Sequence, residues 1–251
     1  MQETEHTRLL ETIRETGYAM LTGVFSESEL VDLREQSGQA FRGEEESIRQ
    51  RSGAVYAARN VLTHWPEARG IGRHPQLKSR LIAVLGEQCG LVRGLFFDKP
   101  PEQTWSLPWH KDLLIAVREG ARHSPRYSPP RPRLGVPHTE PPVEVLENML
   151  TARIHLDSMT AQNGPLEVQP GSHRSGKRLE LGAEFRPVTL HCRAGDVLLM
   201  RPLLAHASGK SLPGCQEHRR ILHLEFAAEP HLPEGVEWWE YYPLREATSV
   251  D

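Results

Sequence analysis

Trp109-His110-Lys111-Asp112 sets a His and an Asp one residue apart, after an apolar run over residues 91–97 that reads as a β-strand ending in the motif. In an extended chain alternate side chains share a face, so His110 and Asp112 point one way and Lys111 the other. One imidazole nitrogen and one carboxylate oxygen aimed at a single point are two thirds of the 2-His-1-carboxylate set that holds non-haem iron(II) and leaves positions open. The same spacing occurs in metal-free surface strands, so the motif asks for a third ligand from elsewhere.

The residues after 90 decide the fold class. Strands are expected over 91–97, 113–117, 150–156, 166–168, 188–192, 197–201 and 220–226. Turn signals stand between them at Asn163-Gly164-Pro165, Pro170-Gly171-Ser172, Ala194-Gly195-Asp196 and Pro213-Gly214. Short strands without long helices between them point to an antiparallel sandwich or barrel, and a cupin-like jelly roll fits their number. Residues 1–90 are helix-rich instead. Leu9, Leu10 and Ile13 recur at helical spacing before Gly17, and Ser26 or Ser28 can cap a helix carrying Leu30 and Leu33. Pro75 opens another, carrying Leu77, Leu81, Ile82 and Leu85. Residues 18–21 read as a strand, and 43–53, with Glu44-Glu45-Glu46, as a mobile loop.

No linker separates these parts. The expectation is one domain over 1–251: helical support over 1–90, a jelly-roll core over 91–230 and a tail over 231–251. In the tail, Trp238-Trp239 and Tyr241-Tyr242 either cover the barrel or join a dimer contact. Residues 118–142 hold Pro129-Pro130-Arg131-Pro132 and Pro141-Pro142 and are expected to form no regular strand. That insertion is either a surface loop or a lid on the site, with Trp105 and Trp109 beside it.

Bulk properties narrow the function classes. A net charge of -3 and 38% hydrophobic residues suit a globular protein with no nucleic-acid surface. Cys89, Cys192 and Cys215 are odd in number and far apart, which argues against a disulfide framework or thiolate zinc site and for a reducing compartment. No apolar run reaches the length of a membrane span. The expectation is a cytoplasmic protein, monomer or homodimer, acting on a small molecule.

The missing imidazole is sought on a facing strand. Residues 196–206 form a buried apolar run ending at His206, and Arg219 follows thirteen residues later at the start of another strand. An Arg deeper in such a barrel can grip a carboxylate with two parallel hydrogen bonds. Iron(II), two imidazoles, one carboxylate and that guanidinium together suggest 2-oxoglutarate as co-substrate. Arg220 competes with Arg219, since alternation turns only one inward, and Ser208 can instead bond its own backbone. His155-Leu156-Asp157 is a rival His-x-Asp, with Arg153, His155 and Asp157 on one strand face. His223 shares the face of Arg219. His173 and Arg174 read as a surface turn, and Lys99 and Glu102 as solvated loop residues.

From 91 to 227 the chain resembles the phytanoyl-CoA dioxygenase family of iron(II)- and 2-oxoglutarate-dependent oxygenases, built on a double-stranded β-helix. The resemblance lies in FFDKPP at 96–101, WHKD at 109–112, QNGPLEVQPGSHR at 162–174, RPLLAHAS at 201–208 and RRILHLEF at 219–226. GYAMLTGVFSESEL at 17–30 is similar to that family's opening strand and helix. The resemblance implies that His110, Asp112 and His206 hold iron, and that Arg219 with Ser208 binds the C5 carboxylate of 2-oxoglutarate. Leu95 and Arg153 fall beside the co-substrate, where Arg153 replaces an aromatic residue and becomes either a second co-substrate clamp or a substrate anchor. The implied reaction consumes O2, decarboxylates 2-oxoglutarate to succinate and CO2, and oxidises a C–H bond. Related halogenases carry a small residue where Asp112 stands, so Asp112 favours hydroxylation or another oxidation. Two other classes remain: a jelly-roll binding module with a vestigial metal site, and a cupin-like hydrolase or isomerase. The presence of all four key residues argues against the first, and the second has no need of a buried guanidinium at Arg219.

Overall fold

The computed structural model describes residues 2–42, 48–51, 54–101, 104–118 and 124–245. Helix α1 (Gln2–Thr16) stops at Gly17 and leads into β1 (Tyr18–Leu21). Helix α2 (Glu27–Ala40) starts from a capping box in which the Ser26 hydroxyl accepts from the Glu29 N–H and the Glu29 carboxylate accepts from the Ser26 N–H. That exchange satisfies two donors otherwise orphaned at the helix start. Strands β2 (Ile48–Arg51) and β3 (Ala54–Ala58) form a hairpin, followed by α3 (Val61–His64), α4 (Ala68–Ile71) and α5 (Pro75–Leu85). The remainder runs through β4 (Gly90–Lys99), β5 (Leu107–His110), β6 (Ile115–Ala116), β7 (Arg131–Arg133), β8 (Val136–Thr139) and α6 (Val143–Glu147). It continues through β9 (Met149–His155), β10 (Leu166–Val168), β11 (Val188–Leu190), β12 (Val197–Met200), β13 (His206–Ser208), β14 (Arg219–Ala227) and β15 (Tyr242–Pro243).

One antiparallel sheet has the order β1-β12-β9-β14-β4-β3-β2, with β15 on β4, and a smaller one has the order β11-β10-β13-β5. The fold is a cupin-like jelly roll, a double-stranded β-helix. Ile154, Leu199, Leu222, Leu224 and Phe226 on the outer face of the large sheet join one core with Ile13, Leu30, Leu77 and Leu81 of the helices. Burying each such side chain contributes about 1.5–3 kcal/mol, so residues 2–85 stiffen the strands that carry the site. No helix among the described residues is long and apolar enough to cross a membrane.

On the inner face, register aligns four rows. Arg219 faces Lys99; Ile221 faces Phe97 and His155; His223 faces Leu95 and Arg153; Glu225 faces Arg93 and Thr151. Polar rows inside a barrel are what a site needs and what a folding core would avoid.

Four expectations are corrected here. The strand expected over 91–97 continues to Lys99, and the chain then crosses to the small sheet, so the His-x-Asp motif belongs to a separate strand, β5. The strand expected over 113–117 shrinks to two residues, β6. In the loop expected over 43–53, residues 48–51 form β2, while 43–47 and 52–53 lie outside the described residues. The insertion does form strands: β7 and β8 close a hairpin over Leu134 and Gly135, both at positive φ, and β8 also pairs with β6. Pro132 stands directly opposite Pro137. The ladder tolerates two prolines because the short hairpin asks no N–H of either residue there.

The hairpin is anchored rather than loose. Asn60 donates to the Leu134 carbonyl, Lys177 pairs with Glu140 at 2.9 Å, and Tyr127 packs with Val117 and Trp238. Trp238 is buried at the barrel end, with its indole N–H on the Glu229 carbonyl.

The rival His-x-Asp pair separates in space. Strand β9 ends at His155, whose ring points inward, and Asp157 beyond it turns to the outer surface. There Asp157 accepts two hydrogen bonds from the Arg220 guanidinium at 2.8 Å and one from the Arg220 N–H, with Arg34 at 3.5 Å. Arg220 is thus a structural residue and Arg219 the inward one. Asp157→Ala should therefore destabilise the fold by roughly 2–4 kcal/mol, the cost of stranding a largely buried guanidinium. Denaturant unfolding measures it, and iron stoichiometry should not change.

Candidate metal centre

Register alone brings two imidazoles together. His206 on β13 is the cross-strand partner of His110 on β5, with Val168 of β10 on its other side. The two rings lie 4.1 Å apart, centroid to centroid. Asp112 follows just beyond β5, its N–H bonded to the Pro202 carbonyl at 2.9 Å. Its two carboxylate oxygens stand 3.7 Å from Nε2 of His110 and 3.7 Å from Nε2 of His206. One ligating atom from each residue lies within 4.8 Å of the other two.

The hydrogen bonds behind the triad suit a metal. Nδ1 of His110 meets the Pro108 carbonyl at 2.8 Å, and Nδ1 of His206 meets the Leu204 carbonyl at 2.9 Å. A carbonyl only accepts, so each Nδ1 carries a proton, and each Nε2 faces Asp112. Burial acts against ionisation of Asp112, but His206, His223, His110 and Arg93 together hold it below the usual carboxylate range. Burial pushes the His206 imidazole down, against the pull of Asp112. Two imidazoles and one carboxylate, from β5, β13 and the turn after β5, fit a divalent ion held on one face.

Lys111 points away, as alternation requires, and does structural work. Its Nζ donates to the Ser172 carbonyl, the Ser175 hydroxyl and the Gly176 carbonyl, clamping that loop beside the triad.

Deeper in the barrel lies a second cluster. Arg219 donates from Nη1 to the Gly164 carbonyl at 2.7 Å and from Nη2 to the Ser208 hydroxyl at 3.2 Å. Lys99 donates to the same hydroxyl at 2.7 Å and to the Gly209 carbonyl. Gly164 sits at φ +67, and a Cβ there would stand 2.3 Å from the Gly209 carbonyl oxygen, so only glycine closes this corner. Lys99 is fully buried, which corrects its reading as a solvated loop residue; Glu102 lies outside the described residues. Leu95 and Phe97 line the wall on β4, and Phe97 meets the His223 ring edge-on at 6.0 Å.

At the row next to the triad, Arg153 meets Nδ1 of His223 at 3.2 Å, and Glu225 pairs with Arg93. Buried His138 of the insertion hairpin lies close enough to Arg93 and Glu225 to feel both charges. The insertion hairpin therefore reaches the Arg93–Glu225 row of the barrel. Sequence reasoning missed Lys99, Arg93 and Glu225 as inner-face residues, although alternation along β4 and β14 carries the signal once register is known; the shared face of Arg153 and His155 was legible from alternation along β9.

Burial, with the guanidiniums of Arg219 and Arg153, pushes the Lys99 amine down to about 6, from an ordinary 10.5. Without an anion nearby, the unfolded chain binds a proton between those values that the native chain does not. The Lys99 contribution to stability thus rises with pH across that window, by at most about 1.4 kcal/mol per pH unit. Lys99→Met should flatten the rise, which denaturant unfolding at about pH 7 and about pH 9 would show.

The phytanoyl-CoA dioxygenase (PhyH) family profile matches residues 13–213, a stretch that contains His110, Asp112, His206 and Ser208. The chain belongs to this family. Solved structures agree on the fold of this PhyH member. The non-heme alpha ketoglutarate dependent epimerase SnoN from nogalamycin biosynthesis superposes with a TM-score of 0.71 at 16% identity, over 99% of each chain. EctD from S. alaskensis, solved with 2-oxoglutarate and 5-hydroxyectoine, gives 0.67 at 20% identity, over 88% of this chain and 75% of its own. The carbocyclase SnoK from nogalamycin biosynthesis gives 0.63 at 19% identity, over 89% and 84%. No curated protein matches the chain by sequence.

Proposed function

We propose that this PhyH-family chain, acting as one unit over 1–251, is an iron(II)- and 2-oxoglutarate-dependent oxygenase that hydroxylates a C–H bond of a small molecule. The observation that carries the reading is the pairing of two sites in one barrel: His110, Asp112 and His206 at one level, and Arg219 with Ser208 deeper. A hydrolase or isomerase needs the first and not the second. The epimerase and carbocyclase relatives share the fold, and both are alpha ketoglutarate dependent by name.

Iron(II) held by His110, Asp112 and His206 would supply the redox chemistry that couples decarboxylation of 2-oxoglutarate to succinate and CO2 with oxidation of the substrate by O2. The residues of this chain hold and orient. The Arg219 fork and the Ser208 hydroxyl grip the C5 carboxylate, and Lys99 beside them takes up a proton as that anion arrives. Leu95 and Phe97 pack along the carbon chain and exclude water. Asp112 is held in its ionised form and both imidazoles turn Nε2 toward it, so the three ligand atoms already face one point. His138, Arg93 and Glu225 border the end where a substrate enters. A net charge of -3 favours a small-molecule substrate over nucleic acid, and the working form is a monomer or homodimer in the cytoplasm.

Succinate formation tests this reading. It should require iron(II), 2-oxoglutarate and O2 together, and the substrate product should gain one oxygen atom. A product of unchanged composition would move the chain to epimerisation, and one short of two hydrogens to ring closure or desaturation.

A further inference from the structure

Arg153 is 6% exposed, and its Nε has no partner; His155, 0% exposed, has a partner on neither ring nitrogen. Both side chains point into the barrel, on neighbouring inner rows of β9. Among the described residues the Arg153 guanidinium makes one hydrogen bond, to a ring nitrogen, Nδ1 of His223, at 3.2 Å. The other arginines of the inner rows, among the described residues, have an acidic or carbonyl partner: Arg93 has Glu225 and Arg219 has the Gly164 carbonyl. Among the described residues no carboxylate pairs with Arg153. An isolated buried charge is expensive, so a fold that keeps one is shaped around an anion that arrives later.

Position narrows which anion. Arg153 is within electrostatic reach of the Asp112 carboxylate on one side and of Arg219 and Lys99 on the other. It therefore stands between the triad and the Arg219 end, along the path that a dicarboxylate held at both would occupy. His155, in the row between Arg153 and Arg219, offers one N–H and one lone pair to the same space.

We propose that Arg153, with His155 beside it, is a second anion clamp that takes the metal-side carboxylate of the 2-oxo dicarboxylate, so that protein groups alone hold both ends of the co-substrate. The proposal rests on the co-substrate reading above. It chooses between the two roles open to Arg153, since a substrate anchor would leave co-substrate affinity to Arg219 and the metal. Its consequence is that the pocket binds dicarboxylates before iron, and that the 2-oxo group, which only a metal needs, matters little at that stage.

Calorimetric titration of metal-free protein checks this. Wild type should bind both 2-oxoglutarate and glutarate, and bind a monocarboxylate such as 2-oxobutyrate at least tenfold more weakly. Arg153→Gln should lose at least tenfold in affinity for either dicarboxylate while still taking up one iron, and Arg153→Lys should recover part of the loss. Metal-free wild type that binds neither dicarboxylate overturns the clamp, and this arm needs no variant to fold. Unchanged affinity in Arg153→Gln overturns it too. If iron-loaded wild type binds 2-oxoglutarate and makes succinate in those cases, only the clamp falls; if it does neither, the co-substrate reading falls with it.

Discussion

Asp112→Ala and His206→Ala should each abolish stoichiometric iron binding and, with it, 2-oxoglutarate-dependent succinate formation. The three candidate ligands come from β5, the turn after it and β13, and none has a spare neighbour among the described residues to take its place. Losing a residue that merely orients a ligand costs roughly 10–100-fold in metal affinity, so losing a ligand costs more than about 100-fold. Asp112→Asn keeps the volume and the contact with Pro202 through its backbone, yet removes the charge that an ion needs, and should fail in the same way. The loss is local. His206→Ala also strands the Leu204 carbonyl, a cost of about 1–3 kcal/mol that leaves the helix-packed outer core intact. Metal analysis after gel filtration, with circular dichroism as the fold control, reads the result. A variant that keeps one iron per chain removes that residue from the ligand set.

Arg219→Ala should be nearly as severe, but on a different quantity. The guanidinium is 2% exposed and shares the Ser208 hydroxyl with Lys99. Removing it would leave a carboxylate buried against one amine, at a cost of roughly 3–5 kcal/mol, or two to three and a half decades in co-substrate affinity. Arg219→Lys keeps the charge and loses the fork, so it should fall between the two. Iron stoichiometry should not change. KM for 2-oxoglutarate is the readout; an unchanged KM would take Arg219 out of the co-substrate site. Arg220→Ala makes the contrast, because its partner is Asp157 on the outer surface. It should lower stability and leave KM alone.

The sequence carried the parts that depend on periodicity. Alternation in 150–156 and 220–226, turn residues between short strands, and the helical spacing of Leu77, Leu81 and Leu85 suffice for a jelly roll backed by helices. What it did not carry depends on register. His110 and His206 are 96 positions apart in the chain, and only the pairing of β5 with β13 places them side by side. The same holds for Lys99: as part of a Pro-rich stretch it reads as a loop residue, and only as the partner of Arg219 on β14 does it become a buried amine. Asp157 misled for the converse reason, because alternation predicts its face only while the strand lasts, and β9 ends two residues earlier. The insertion misled through its prolines, which break a long ladder but not a hairpin whose two prolines face each other.

The central claim is that one ion and one 2-oxo dicarboxylate share this barrel. Anaerobic titration of the metal-free protein with iron(II) and then 2-oxoglutarate tests it most directly. The prediction is a weak visible charge-transfer band that saturates at one iron and one 2-oxoglutarate per chain and is missing in Asp112→Ala. A protein that binds iron yet gives no band at any 2-oxoglutarate concentration, or the same band from Asp112→Ala, would contradict it.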